Sequence, residues 1–203
     1  MIAMEAVSYL LFCVYLVSFF GLSAMAAREA GRSVWLFSKG KEPQTLPAWL
    51  FRIAFAGAAI LPLVRALAGG PLLRDPVFSM LDGVAGDIIG HVLVAVGALI
   101  AAASQMHMGA SWRIGAAEGE TGAIVDTGPF ALSRNPVFVG QIILFIGLLL
   151  VFPDLLQAAL TLALVVAIRL QIKIEERVLT ATLGEPYLAY SRRVGRWFGL
   201  RNV

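Results

Sequence analysis

The residues able to do chemistry in this chain fall in two short stretches. The first, Gln105–Asn135, carries His107, Ser111-Trp112-Arg113, the turn signal Gly128-Pro129 with Phe130 after it, and Ser133-Arg134-Asn135-Pro136. The second, Arg169–Arg196, carries Arg169, Gln171, Lys173, the adjacent pair Glu175-Glu176, and Gly184-Glu185-Pro186 followed by Tyr187 and Tyr190. Asn135 before Pro136 predicts a helix start, because asparagine can cap and a proline at the first helical position has no hydrogen bond to lose. The free N–H groups of such a start would receive a carboxylate or other anion, with Arg134 adding a cation. A plain capped helix with Arg134 on a lipid phosphate uses the same residues. For Glu175 and Glu176, one reading is a carboxylate that accepts from ribose hydroxyls or faces a cationic ligand. The other is a solvated helical face balanced by Lys173 and Arg177. His107, beside Gln105, is placed to line a pocket with this loop.

Other chemistry is excluded. Two histidines far apart and one cysteine do not make a metal site, and no Ser-His-Asp set or phosphate-loop motif is present. Cys13 reads as packing, and His91 as a satisfied buried histidine.

The elements that must position these groups follow from composition. Of 203 residues, 59% are apolar and 14% charged, with a mean hydropathy of +0.83, whereas a soluble domain carries roughly a quarter charged residues. A soluble enzyme, a disordered chain and a disulfide scaffold are ruled out, leaving an all-α integral membrane protein. Continuous apolar runs also exclude a β-barrel, whose strands alternate. The formal charge of +3 does not indicate nucleic acid, because the basic residues lie between apolar runs.

Five apolar runs are marked: Ala6–Ala27, Trp49–Leu67 with Pro62 as a kink, Ile88–Met106, Val137–Phe152 and Leu155–Ile168. The first, lacking a basic region and a cleavage context, is a span rather than a signal peptide. Arg52 and Arg65, near the ends of the second, are expected to snorkel. The last two, split by a turn at Pro153-Asp154, form two spans or one re-entrant hairpin. Fourteen of the 16 Lys and Arg residues fall on one side of these runs, with only Arg65 and Arg74 on the other. That asymmetry predicts an outside N-terminus and a cytoplasmic C-terminus. After the break at Gly184-Glu185-Pro186, the Tyr187, Tyr190 and Val194 stripe predicts an interfacial helix. We read 1–203 as one membrane domain, with two N-terminal spans and an outer loop in 1–83 and a catalytic half in 84–203.

The order and spacing of the motifs carry a resemblance. Met108-Gly109-Ala110-Ser111-Trp112-Arg113, Val125-Asp126-Thr127-Gly128-Pro129-Phe130, Arg134-Asn135-Pro136-Val137-Phe138-Val139-Gly140, a helical hairpin, Glu175-Glu176 and Gly184-Glu185-Pro186-Tyr187 together resemble the isoprenylcysteine carboxyl methyltransferase and phospholipid methyltransferase superfamily. The resemblance covers the C-terminal half and implies an S-adenosylmethionine site at the cytoplasmic face of a membrane, here expected to be a bacterial inner membrane. By position it implies cofactor contacts from Ile124, Val125, Gly128, Phe130, Arg134, Asn135, Pro136, Val137, Phe138 and Glu175. It leaves Glu175, Glu176 and His107 as acid–base candidates, and Arg169, Gln171 and Trp112 toward the methyl acceptor.

This chain departs from the family pattern at four places. Asn135 stands for histidine, Phe130 and Phe138 for tyrosines, and Gln171 for an arginine tied to the acceptor carboxylate in prenylcysteine enzymes. The acceptor is therefore expected to be a lipophilic or small carboxylate, thiol or amine, entering sideways through a gap between spans four and five and the rest. Three other readings remain: an NADPH-dependent membrane reductase of related architecture, a non-enzymatic lipid-binding or assembly protein, and a transporter, which the absence of charged residues from the span centres disfavours.

Overall fold

The computed structural model describes residues 2–37, 44–70, 72, 75–117, 119–120 and 122–199. Lys39, Lys41, Arg74 and Arg201, used above to judge orientation, lie outside the described residues. All five apolar runs are helical: α1 (Ile2–Ala30), α2 (Thr45–Leu67), α4 (Val84–Met108), α5 (Pro136–Val151) and α6 (Leu155–Leu183). A short α3 (Pro76–Leu81) precedes α4, and α7 (Glu185–Arg193) follows α6. The described residues contain no strand, and a bridge between Trp35 and Ile114 joins the two loops at one end of the bundle.

Four of these helices, α1, α2, α4 and α6, are long and apolar enough to cross a membrane. At 1.5 Å per residue, the 16 residues of α5 give about 24 Å, so α5 falls just short. The 29 residues of α6 give about 43 Å, well beyond the apolar run Leu155–Ile168. Pro62 sits inside α2 without ending it.

Glycine placement decides which helices pair. Gly90 and Gly97 on α4 face Gly147 and Gly140 on α5, and a Cβ built on any of the four would stand 2.4–2.8 Å from backbone atoms of the other helix. Small residues at that spacing let two backbones approach closely, and this is how helices bind one another where lipid removes the hydrophobic drive. α2 packs instead along α6, where a Cβ on Gly57 would strike Leu160.

The far end is closed by an ion pair. Arg65, read above as snorkelling, is buried and donates to Asp154 at 2.8 Å. Asp154 also caps α6, its other oxygen accepting from the Gln157 N–H at 2.7 Å. A cation this close to an apolar bundle is cheaper paired than stretched toward water, and the α5–α6 turn presents the partner. His91 is satisfied by Ser8 Oγ at 2.7 Å. At the opposite end the arms diverge. Phe19 and Phe20 of α1 turn to Trp112 and Trp35, while Phe51 of α2 turns to Phe37 and Phe138.

Candidate functional site

The divergence leaves a cavity of about 580 Å³ at the end where α4 stops and α5 begins. Its floor is polar. α5 supplies Asn135, Pro136, Val137 and Phe138, α6 supplies Gln171, Glu175 and Glu176, and the loop before α5 supplies Ile124, Val125, Phe130 and Arg134. Trp112 and Arg113 form one edge, and Tyr187 and Tyr190 of α7 cover it. The other arm is apolar, running between α1 and α2 past Leu16, Phe19, Phe51, Phe55 and Ala59. The N-terminal helices therefore line the cavity together with the C-terminal half. α1 and α2 line this arm from two sides and meet beside it, where Tyr9 donates to the Ala59 carbonyl at 2.9 Å and Phe12 and Tyr15 pack on Phe55.

Twelve of the fifteen residues singled out from sequence line this cavity, whereas His107, Gly128 and Arg169 do not. His107 is exposed, bonds Thr127 Oγ1 at 3.0 Å, and stacks beside Phe130. Gly128 has φ +55, and a Cβ there would meet the His107 ring at 2.6 Å. These two residues brace the loop from outside. Arg169 is exposed on α6.

Asn135 begins α5 with Pro136 at its first turn, as expected, but its side chain does not cap the helix. The amide instead donates to the Arg196 carbonyl at 3.0 Å, while Ser133 Oγ accepts from the Asn135 N–H. The stripe of α7 differs too. Tyr187, Tyr190 and Val194 are buried against Ile124, Leu179 and Leu183 rather than laid on a membrane. Tyr190 donates to the Phe130 carbonyl at 2.7 Å, fixing the loop to α7. Tyr187 accepts from Arg134 Nη1 at 3.2 Å, and burial raises the pKa of both phenols, so they stay neutral at neutral pH.

The two glutamates differ sharply. Glu176 is held on three sides: by Arg134 Nη1 at 3.1 Å, and by Arg196 Nε at 2.9 Å and Nη2 at 2.6 Å. Glu175 accepts from Gln171 Nε2 at 3.1 Å. Burial pulls the Arg113 guanidinium down from its usual range, and the field of Glu175 opposes this.

Gln171 is oriented by a residue that sequence reasoning passed over. Gln44 donates to the Ala116 carbonyl at 2.6 Å and accepts from its N–H at 2.8 Å, so its amide cannot flip. Gln171 Nε2 must then face Gln44 Oε1, at 3.3 Å, and Glu175, leaving its own carbonyl oxygen buried without a partner. Gln141 donates to the Tyr15 hydroxyl at 2.9 Å, and its Oε1 is likewise unpartnered. For Gln141 the available signal was a glutamine inside an apolar run, since a buried amide there needs a partner or a ligand; Gln44, before the second run, gave no such signal. Arg134 Nε, also buried, has no partner either.

Residues 86–185 match the family model described as phospholipid methyltransferase. No curated protein and no solved structure matches the chain. The matched segment starts early in α4 and ends at the first residue of α7, so it spans the helical hairpin and both polar stretches of the cavity. The match, over 100 of the 203 residues, is consistent with the isoprenylcysteine carboxyl methyltransferase and phospholipid methyltransferase superfamily that the motifs resemble.

Proposed function

We propose that this protein binds S-adenosylmethionine at the polar floor of the cavity and methylates a lipophilic acceptor that enters along the apolar arm. The observation that carries the reading is the continuity of the two arms. Ionic and amide groups lie at one end, an aromatic corridor at the other, and the volume sits within the range of small-ligand sites.

The residues present suit this cofactor. Arg134, buried with an unpartnered Nε beside the start of α5, suits a carboxylate. Glu175 suits ribose hydroxyls. Phe130, Ile124 and Val125, under Tyr187 and Tyr190, suit a flat base. When bound, the cofactor supplies an electrophilic methyl on a sulfonium, so the activation is its own.

What remains for the protein is alignment and exclusion of water. Tyr187, Tyr190 and the Phe130 loop close the polar end from solvent, and Phe19, Phe51, Phe55 and Phe138 present an apolar guide toward it. A carboxylate or thiolate acceptor needs no base, whereas a neutral amine would give its proton to Glu175, the carboxylate that Arg196 does not occupy. Gln171 stands where prenylcysteine enzymes carry arginine, which disfavours a prenylated carboxylate. The excess of basic residues at the cavity end supports a cytoplasmic placement of that end and of the C-terminus.

The test is thermal unfolding of the full chain in lipid nanodiscs with S-adenosylmethionine, S-adenosylhomocysteine or NADPH. At a hundredfold excess over Kd, a ligand bound only to the folded state stabilises by about 2.7 kcal/mol. Stabilisation by the first two and not by NADPH is expected. Stabilisation by NADPH alone, or by none, would overturn the reading. Labelled methyl transfer into a lipid extract then reports the acceptor.

A further inference from the structure

The segment after α7 lies beyond the family match, yet it is built into the cavity. The Gly195 carbonyl accepts from the Arg134 N–H at 3.0 Å, Gly199 N–H donates to the Leu132 carbonyl at 3.0 Å, and Gly195 N–H donates to the Gly199 carbonyl at 2.8 Å. A Cβ on Gly195 would stand 2.6 Å from the Phe198 carbonyl oxygen, so this turn closes only around glycine. The Asn135 amide, at the position where the family carries histidine, holds the Arg196 carbonyl. The turn is thus strapped by its backbone across the residues that open α5.

What the strap delivers is a guanidinium. Arg196 grips Glu176 with two nitrogens, and Glu176 shares one of its oxygens with Arg134. An exposed ion pair between free side chains contributes little, because ordering two long side chains costs as much as it returns. Here the backbone of Arg196 is already fixed, and a two-pronged guanidinium–carboxylate pair has defined geometry. Arg134, at the end of this chain of contacts, carries the buried Nε without a partner.

We infer that Arg196 is a positioning residue, which acts through Glu176 to hold Arg134 for the anionic group of the cofactor, and that Asn135 serves this strap. The inference rests on the function proposed above. Glu176 is then a structural relay, and Glu175 alone of the pair is left to take ligand.

The experiment is calorimetric binding of S-adenosylhomocysteine to nanodisc-embedded full-length protein, wild type and variants. Arg196→Ala is expected to weaken binding about tenfold or more, the scale of one charge-assisted hydrogen bond. Arg196→Lys, which restores a cation without the two-pronged fit, falls between Arg196→Ala and wild type. Combining Arg196→Ala with Glu176→Ala should cost no more than Glu176→Ala alone, because both cut the same relay. Wild-type affinity in Arg196→Ala or Arg196→Lys, or losses that simply multiply in the double variant, would overturn the inference. Failure of the wild type itself to bind is a different result, and sinks the proposed function instead.

Discussion

Gly97 of α4 and Gly140 of α5 meet backbone to backbone: a Cβ on Gly97 would stand 2.6 Å from the Gly140 carbonyl oxygen, and one on Gly140 would stand 2.7 Å from the Gly97 carbonyl oxygen. The contact repeats at Gly90 and Gly147, seven residues away along each helix. α5 is too short to be held by its own length in a bilayer, so this close pairing is what seats Asn135 and Pro136 at the cavity.

Gly97→Ala and Gly140→Ala should therefore each destabilise the protein. The nearest atoms are backbone and cannot swing aside, so the helices must part, at a cost of about 1–3 kcal/mol for overpacking. Gly21→Ala is the control, since nothing stands within 4 Å of its Cβ position. Thermal unfolding in nanodiscs should show lowered midpoints for the first two and none for the third.

The Arg65–Asp154 pair at the far end makes a second prediction. Removing one partner leaves a buried charge alone, which costs about 3–5 kcal/mol. Arg65→Met should be severely destabilised. Adding Asp154→Asn should recover most of the loss, because asparagine keeps an oxygen for the Gln157 N–H while shedding the charge. Denaturant unfolding of the single and double variants measures this, and a double variant no better than the single would contradict it.

Gln44 lies outside the family match but orients Gln171. Gln44→Ala strips two hydrogen bonds from Ala116 and one from Gln171. A buried polar group left unpaired costs about 1–3 kcal/mol. With Gln171 free to turn, S-adenosylhomocysteine affinity should also fall, which calorimetry in nanodiscs can read beside the melting midpoint.

The phenols of α7 give a pH dependence with a definite sign. Burial holds the pKa of Tyr187 and Tyr190 above the ordinary value of 10.0. The folded state therefore keeps these protons after the unfolded chain has lost them. Their stabilising contribution is complete below pH 10 and declines as the pH climbs from there through the folded-state values. Melting midpoints should fall above pH 10, and less steeply in the Tyr187→Phe variant.

The sequence by itself determined the solvent and the positions of the apolar helices. A run such as Leu155–Ile168 cannot stay in water, and a helix satisfies its backbone without partners, so each apolar run became a helix whatever its neighbours did. Asn135-Pro136 and Gly184-Glu185-Pro186 likewise marked helix boundaries, because those limits are local steric facts. Of the twelve cavity-lining residues named, Arg134, Glu175 and Glu176 stood out as polar groups beside apolar runs, whereas Ile124, Val125, Phe130, Val137 and Phe138 came from the family resemblance.

Only the tertiary structure decided the partners. Nothing local shows that Arg65 finds Asp154 rather than water, that Asn135 turns from its own helix to the Arg196 carbonyl, or that Glu176 is gripped by two arginines while Glu175 accepts from Gln171. Nor does a run of residues show which helices splay. α1 and α2 line the apolar arm while the glycines of α4 and α5, and Gly57 against Leu160, commit the other helices to each other. Such contacts depend on distances between residues remote along the chain, and those are set only when the helices pack.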